Sequence, residues 1–238
     1  MNRTAQDRSR DELVARLMTA LRIYTPARYC CRFDQDSFFE TFYQPQVAAK
    51  VIGLAFLDAV TAWEDFVERA FLDYLSGYVA KTGYAPKLRT GRAMNRTHAA
   101  QVLTGEANAK QAERRCRWNS FRWVLSVASI HFHSSNPFAD TSPDVVRYLE
   151  HATIIRNRVA HNSDRSRNNF RMTANALRGK TAESKLRRGY SPGWLLAELS
   201  EDSFPSREGD YFAWQWYDNF ESFISLWIQE ADRIVPVT

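Results

Sequence analysis

The sequence predicts an all-α protein. Apolar residues recur at three- and four-residue spacing over most of the chain, the pattern of helices that each bury one face. Helix start and stop signals bracket those segments, and there is no internal repeat and no coiled-coil heptad run. With 238 residues, 45% hydrophobic and 25% charged, the chain can build one sizeable core. The expectation is a single helical domain: a bundle with additional short helices and long loops, an N-terminal extension over about 1–44 and a core over about 45–234.

In chain order, residues 1–9 read as a frayed end. Leu13, Val14, Leu17 and Leu21 predict a short helix over 11–24, ended by Thr25-Pro26 because the residue before proline avoids the α region. The aromatic stretch 29–42 predicts a loop and a helical turn near Asp36-Ser37. A long helix follows over 45–79, with Val51, Leu54, Leu57, Val60, Trp63, Phe66, Phe71 and Tyr74 on a broad apolar surface. Gly83, Pro86, Gly91 and Gly105 mark 83–105 as irregular, a linker or a lid. Helix resumes over 107–133 with Phe121, Trp123, Val124, Val127 and Ile130. His131-Phe132-His133 lacks ligand-like spacing to a carboxylate or cysteine, so neither a metal site nor a cofactor is expected. His151 reads as a structural histidine.

The sharpest helix signal lies at 142–161. Ser142 is a good N-cap, Pro143 suits the first helical position, and Asp144 suits the positive end of the helix dipole. Val145, Tyr148, Leu149, Ala152, Ile155 and Val159 form one apolar stripe. Off that stripe, Arg156, Asn157 and His161 put a guanidinium, an amide and an imidazole around one groove. Beyond it, 162–169 predicts a polar loop with Arg165 and Arg167, and 170–177 a short helix. Ser191-Pro192-Gly193 opens another short helix to Leu199, 200–210 reads as an acidic loop, and a last helix spans about 210–234. Its aromatics, from Phe212 and Trp216 through Phe220, Phe223 and Trp227, predict a core helix that closes the bundle.

Arg156-Asn157-x-x-x-His161 late in an amphipathic helix resembles the R-x(4–6)-H motif of the HEPN superfamily. A bare R-x4-H pattern is expected by chance about 0.5 times in a chain so rich in Arg; demanding Asn after the Arg lowers that to about 0.02 to 0.03. The pair Arg92 and His98, at R-x5-H spacing, is a chance match to the looser motif, set among glycines where no helix is expected. Leu57 to Glu68, with Trp63-Glu64-Asp65-Phe66, is similar to the early W-E-x-F/Y-x-E helix of the RiboL-PSP-type HEPN branch. Asn136-Pro137-Phe138 and Ser191-Pro192-Gly193-Trp194-Leu195-Leu196 also look like that branch. The resemblance spans about 50–230. It implies an all-helical domain, a homodimer joined through the motif helix, and metal-independent endoribonuclease activity in bacterial defence or a toxin–antitoxin pair. Arg156, Asn157 and His161 would then be catalytic, Glu64 and Arg158 supporting, with Glu64 orienting Arg156. Some HEPN proteins carry Tyr three residues after the His; here that position is Asp164.

Charge agrees with a polyanionic partner. The formal charge is +5 and the pI about 9.2. Ten Lys/Arg lie between Arg156 and Arg188 against Asp164 and Glu183, whereas from Trp194 onward nine Asp/Glu face Arg207 and Arg233. Arg165 and Arg167 are therefore expected to contact RNA phosphates. Cys30, Cys31 and Cys116 are odd in number and two are adjacent, which argues against a disulfide framework. The apolar stretch from Val51 is broken by Gly53 and Asp58, and the N-terminus lacks the build of a secretory signal, so neither a membrane partner nor export is expected. The localisation expected is cytoplasmic.

The chemistry follows from the residue types. Cutting RNA without a metal needs a proton acceptor for the ribose 2′-OH, positive charge at phosphorus and a proton for the leaving 5′-oxygen. An imidazole titrates near pH 6.5, close to a working pH, and suits proton transfer; a guanidinium stabilises phosphoryl oxygens with a geometry lysine lacks. One His is half of an acid–base pair, and a two-fold dimer would supply the other half. Products with a 2′,3′-cyclic phosphate and a 5′-hydroxyl are implied by the resemblance. An antitoxin or regulatory protein is a further expected partner. The alternative function is a non-catalytic helical module that binds RNA or protein.

Overall fold

The first helix, α1 (Ala5–Arg32), continues through Pro26 instead of stopping before it. Proline removes one ladder donor and costs a helix interior about 3 kcal/mol. Burial of Tyr24, Ala27 and Cys30 on both sides of the proline outweighs that local signal. The Thr25 hydroxyl donates to the Leu21 carbonyl at 2.8 Å within the same turn. The computed structural model describes residues 5–32, 44–199 and 218–237. Among these the chain is all-α, with nine helices and two isolated β-bridges. The expected turn near Asp36-Ser37, the acidic loop 200–210, Phe212 and Trp216 lie outside the described residues.

The long helix α2 (Pro45–Leu75) stops four residues short of the expected Val79. Gly77 takes a left-handed φ of 77°, and the Tyr78 and Gly77 amides bond back to the Asp73 and Tyr74 carbonyls at 3.0 and 2.9 Å. That is a Schellman cap, which closes the helix. Arg92 donates to the Ser76 carbonyl at 2.6 Å beside it, and a Cβ on Gly77 would meet the Arg92 side chain at 2.3 Å. By length and composition α2 could cross a membrane, contrary to the reading of Gly53 and Asp58 as interruptions; 56% of its apolar window is buried inside the protein, as in a core helix.

The stretch expected to be irregular contains α3 (Arg96–Thr104), whose N-cap Asn95 accepts from the His98 amide at 2.9 Å and whose end is closed by left-handed Gly105. His98 is thus helical, a correction forced by two well-formed caps. The helix expected over 107–133 is broken into α4 (Ala109–Arg115) and α5 (Phe121–His131). Trp118 sits in the break, 5.7 Å from the Phe71 ring and 5.1 Å from Trp123. Then come α6 (Pro143–Ala160), α7 (Asp164–Leu177), α8 (Pro192–Ala197) and α9 (Asn219–Ile234). Among the described residues the α9 helix begins at Asn219, where Asp218 caps it by accepting from the Glu221 amide at 3.0 Å; the stretch 210–217 of the expected last helix lies outside the described residues.

The chain forms two compact units, each assembled from separated stretches. The first comprises Met1–Ala15, Ala62–Val146 and Trp227–Thr238; the second comprises Arg16–Thr61 and Arg147–Leu226. The first unit is built on the second half of α2, where Phe71 packs against Phe132 at 5.0 Å and Phe138 at 4.9 Å. Asn136, 1% exposed, accepts from the Phe138 and Ala139 amides and donates to the His133 carbonyl. The Asn136-Pro137-Phe138 segment is therefore a buried Asx turn that aims Phe138 into the core.

The second unit packs the first half of α2 with α1, α6, α8 and α9. Tyr24 stacks on Phe220 at 4.2 Å, and Phe56 meets Phe220 and Phe223 edge-on. The described α9 aromatics Phe220 and Phe223 are fully buried, which makes them core. Gly193 lets α8 lie directly on α2, since a Cβ there would fall 1.8 Å from the Ala49 carbonyl oxygen. Gly53 likewise admits Val159, whose methyl would stand 3.4 Å from an added Cβ. The motif helix is thereby seated on α2 by its apolar stripe: Tyr148, Leu149, Ala152 and Ile155 are all buried.

Candidate active site at the α6–α7 corner

The motif lies where one helix ends and the next begins. At the start of α6 the Ser142 hydroxyl accepts from the Val145 amide at 3.3 Å, as its N-cap role requires. At the other end the regular helix stops at Ala160, and His161 is the first residue beyond it, its amide bonded to the Asn157 carbonyl at 2.9 Å. Only His161, Asn162 and Ser163 separate α6 from α7. The polar loop expected over 162–169 is thus almost absent. Ser163 caps α7 by accepting from the Ser166 amide at 3.2 Å, and Asp164 sits in the first turn. These two residues start a helix there.

Arg156 and Asn157 are half-buried and His161 is exposed. The Arg156 guanidinium donates to the Asn157 side-chain oxygen at 3.0 Å, so the amide holds the guanidinium to the helix surface. Arg158, in the last turn of α6, donates to the His161 carbonyl at 3.3 Å. Cations suit that negative helix end. Burial, and then the Arg167 charge, lower the Arg158 pKa from its ordinary value. The Ser166 hydroxyl reaches the same His161 carbonyl at 2.9 Å and the Ser163 carbonyl at 2.8 Å. The backbone of His161 is held from both helices, while its ring faces solvent.

The expected RNA contacts differ in their surroundings. Arg165 is exposed on α7. Arg167 forms an ion pair with Asp164 at 2.5 Å and donates to the Asn162 side chain at 3.3 Å, which ties it to the corner. Glu64 is half-buried on the part of α2 that belongs to the first unit; its role toward Arg156 stays a proposal. Sequence reasoning missed Ser163 and Ser166. The signal was present in Ser163-Asp164, a cap followed by an acid, but the polar run hid it.

Histidines and cysteines elsewhere have structural surroundings. The His131 ring shares a hydrogen bond with the Thr90 hydroxyl at 2.8 Å, and burial lowers its pKa. His151 packs edge-on against Tyr148 at 5.8 Å. Burial pushes the Cys31 and Cys116 thiols up to about 11, which makes them poor nucleophiles at neutral pH. Among the described residues no three His, Cys, Asp or Glu side chains converge to hold a metal ion.

A pocket of about 330 Å³ in the first unit is lined by Asp65, Glu68, Arg69, Arg96 and Glu113, among others. Its two arginines are engaged: Arg69 pairs with Glu12, and Arg96 grips the fully buried Asp73 with two bonds of 2.5 and 2.7 Å. Burial, reinforced by the Asp65 and Glu113 charges, raises the Glu68 pKa.

No family model, curated protein or solved structure matches this chain.

Proposed function

We propose that the protein is a metal-independent endoribonuclease of the HEPN type, acting as a homodimer. It would serve a cytoplasmic role in bacterial defence or as the toxin of a toxin–antitoxin pair. The observation that carries this reading is the α6–α7 corner. It joins an exposed imidazole, a half-buried guanidinium fixed by its neighbouring amide, and a run of basic residues. His161 takes the proton from the ribose 2′-OH, and the 2′-oxygen attacks phosphorus. Arg156 balances the charge that grows on the phosphoryl oxygens. The P–O5′ bond breaks, and the 5′-oxygen takes a proton from the imidazolium of the second copy's motif helix. The products are a 2′,3′-cyclic phosphate and a 5′-hydroxyl.

A second reading draws on the same hydrogen bonds. Arg156 bonds to Asn157, and Arg158 bonds to main chain, so these side chains could serve the corner's structure in a non-catalytic RNA- or protein-binding module. Wild type, Arg156→Ala and His161→Ala, incubated with total RNA and tRNA in EDTA, separate the two. Cleavage leaving cyclic phosphate ends, lost in both variants while the oligomer persists, supports the enzyme. Cleavage retained in both variants overturns the site.

A further inference from the structure

We propose that the exposed face of α7 and the loop after it form a track for single-stranded RNA that starts at the α6–α7 corner and ends at Arg187. The inference rests on the ribonuclease reading and extends it to how substrate is held away from the cut. Arg165, Asn168, Met172 and Ala176 recur at three- and four-residue spacing and are all exposed, while Phe170, Thr173, Ala174 and Leu177 are buried. One face of α7 therefore stays open along its length, about 21 Å for 14 residues. Its first turn is bonded to the motif through Ser166 and the His161 carbonyl, so the track and the motif move together.

The far end is built. Asn175, fully buried, donates to the Ser184 carbonyl at 2.8 Å, and Arg171 donates to the Ala182 carbonyl at 2.8 Å. The Lys180 amide turns back to the Asn175 carbonyl at 2.8 Å. Further along, Glu198 accepts from the Tyr190 hydroxyl at 2.8 Å and pairs with Arg178 at 3.0 Å. Over this fixed base the Arg187 guanidinium lies 4.9 Å from the Trp194 ring and 5.7 Å from the Tyr190 ring, within cation–π range. Lys180, Lys185, Arg187 and Arg188 are all exposed around it.

The mixture of groups points to a single strand. Cations suit phosphates, the amides of Asn168 and Asn169 suit base edges, and Met172, 53% exposed, suits a base face. A guanidinium held over aromatic rings, as Arg187 is over Trp194 and Tyr190, is a planar cation on which an unstacked base can pack. A duplex keeps its base faces stacked inside the helix, leaving Met172 and the Arg187 guanidinium without a base to pack on.

The test uses full-length protein with His161→Ala, so that RNA survives, and a fluorescein-labelled single-stranded RNA read by anisotropy over a salt series. Lys180→Ala, Lys185→Ala, Arg187→Ala and Arg188→Ala are combined on that background. Weakening of about tenfold or more is expected, with the slope of log affinity against log salt flatter by about 2 to 3, since each lost phosphate contact on a single strand removes about 0.7. Arg187→Lys, which keeps the charge and loses the planar guanidinium, is expected to weaken binding several-fold. With His161 intact, the four changes should raise KM on long RNA by a larger factor than on a dinucleotide. Unchanged affinity and slope in a variant with wild-type circular dichroism overturns the track. So does an equal loss on duplex DNA, which would make the surface a general polyanion site. If Arg156→Ala and His161→Ala still cleave RNA while the fourfold variant loses affinity, the active-site reading fails and the track stands.

Discussion

Ser166 donates its hydroxyl to the main-chain carbonyl of His161 at 2.9 Å, across the boundary between the motif helix and α7. Ser166→Ala removes that tie without touching the imidazole. A drop in kcat of about threefold to tenfold is expected, with a stability loss of about 0.5–1.5 kcal/mol, the usual net worth of one hydrogen bond. Steady-state kinetics beside urea unfolding would measure both, and an unaltered kcat would show that the corner does not position His161.

Gly193 lies against α2 so closely that a side chain has no room, its added Cβ falling 1.8 Å from the Ala49 carbonyl oxygen. Gly193→Ala must push α8 away from α2. A loss of about 3 kcal/mol or more is expected, at the upper end for overpacking, because rigid backbone is in the way. Chemical denaturation reads the change directly, and a loss below 1 kcal/mol, about the cost of an ordinary surface change, would mean that α8 is not seated there.

Asp218 is fully buried at the start of α9, where it accepts from the Tyr24 hydroxyl, pairs with Arg28 at 2.8 Å and caps the helix. Burial first, and then the Asp218 carboxylate, raise the Tyr24 pKa, so the phenol stays protonated as the donor. Asp218→Ala is expected to cost about 3–5 kcal/mol, the range for removing one partner of a buried charged network. A melting temperature within a degree of wild type would contradict that assignment.

His131 titrates below its ordinary value near 6.5 because it is buried, its ring sharing a hydrogen bond with the Thr90 hydroxyl. Between the folded and unfolded pKa values the unfolded chain binds more protons, so stability falls with falling pH there. Its contribution is complete above about pH 6.5 and is lost as pH drops through and below that value. His131→Asn should flatten this limb of the stability profile. Identical profiles for wild type and variant between pH 7 and pH 5 would remove His131 from the account.

Much of the architecture was legible before any coordinates. The all-α class, α2, the start of α6 at Ser142-Pro143-Asp144 and the opening of α8 all follow from local pattern, because spacing of apolar residues and cap chemistry act within one or two turns. That Arg156 and Asn157 sit on α6 with His161 at its C-terminal edge was legible for the same reason, since the three lie within two turns of one another.

Tertiary structure decided what local signals left open or misread. Pro26 sits inside α1 because Tyr24 and Ala27 are held in a core contributed by distant residues such as Phe220. Ordering of the 178–190 loop depends on buried Asn175 and on Glu198, neither of which has a recognisable sequence signature. The sequence by itself determined where helices form and which residue types the motif offers. Only packing determined which boundaries survive, because a helix such as α1 runs on through Pro26 only where residues distant in sequence, Phe220 among them, bury both sides of it.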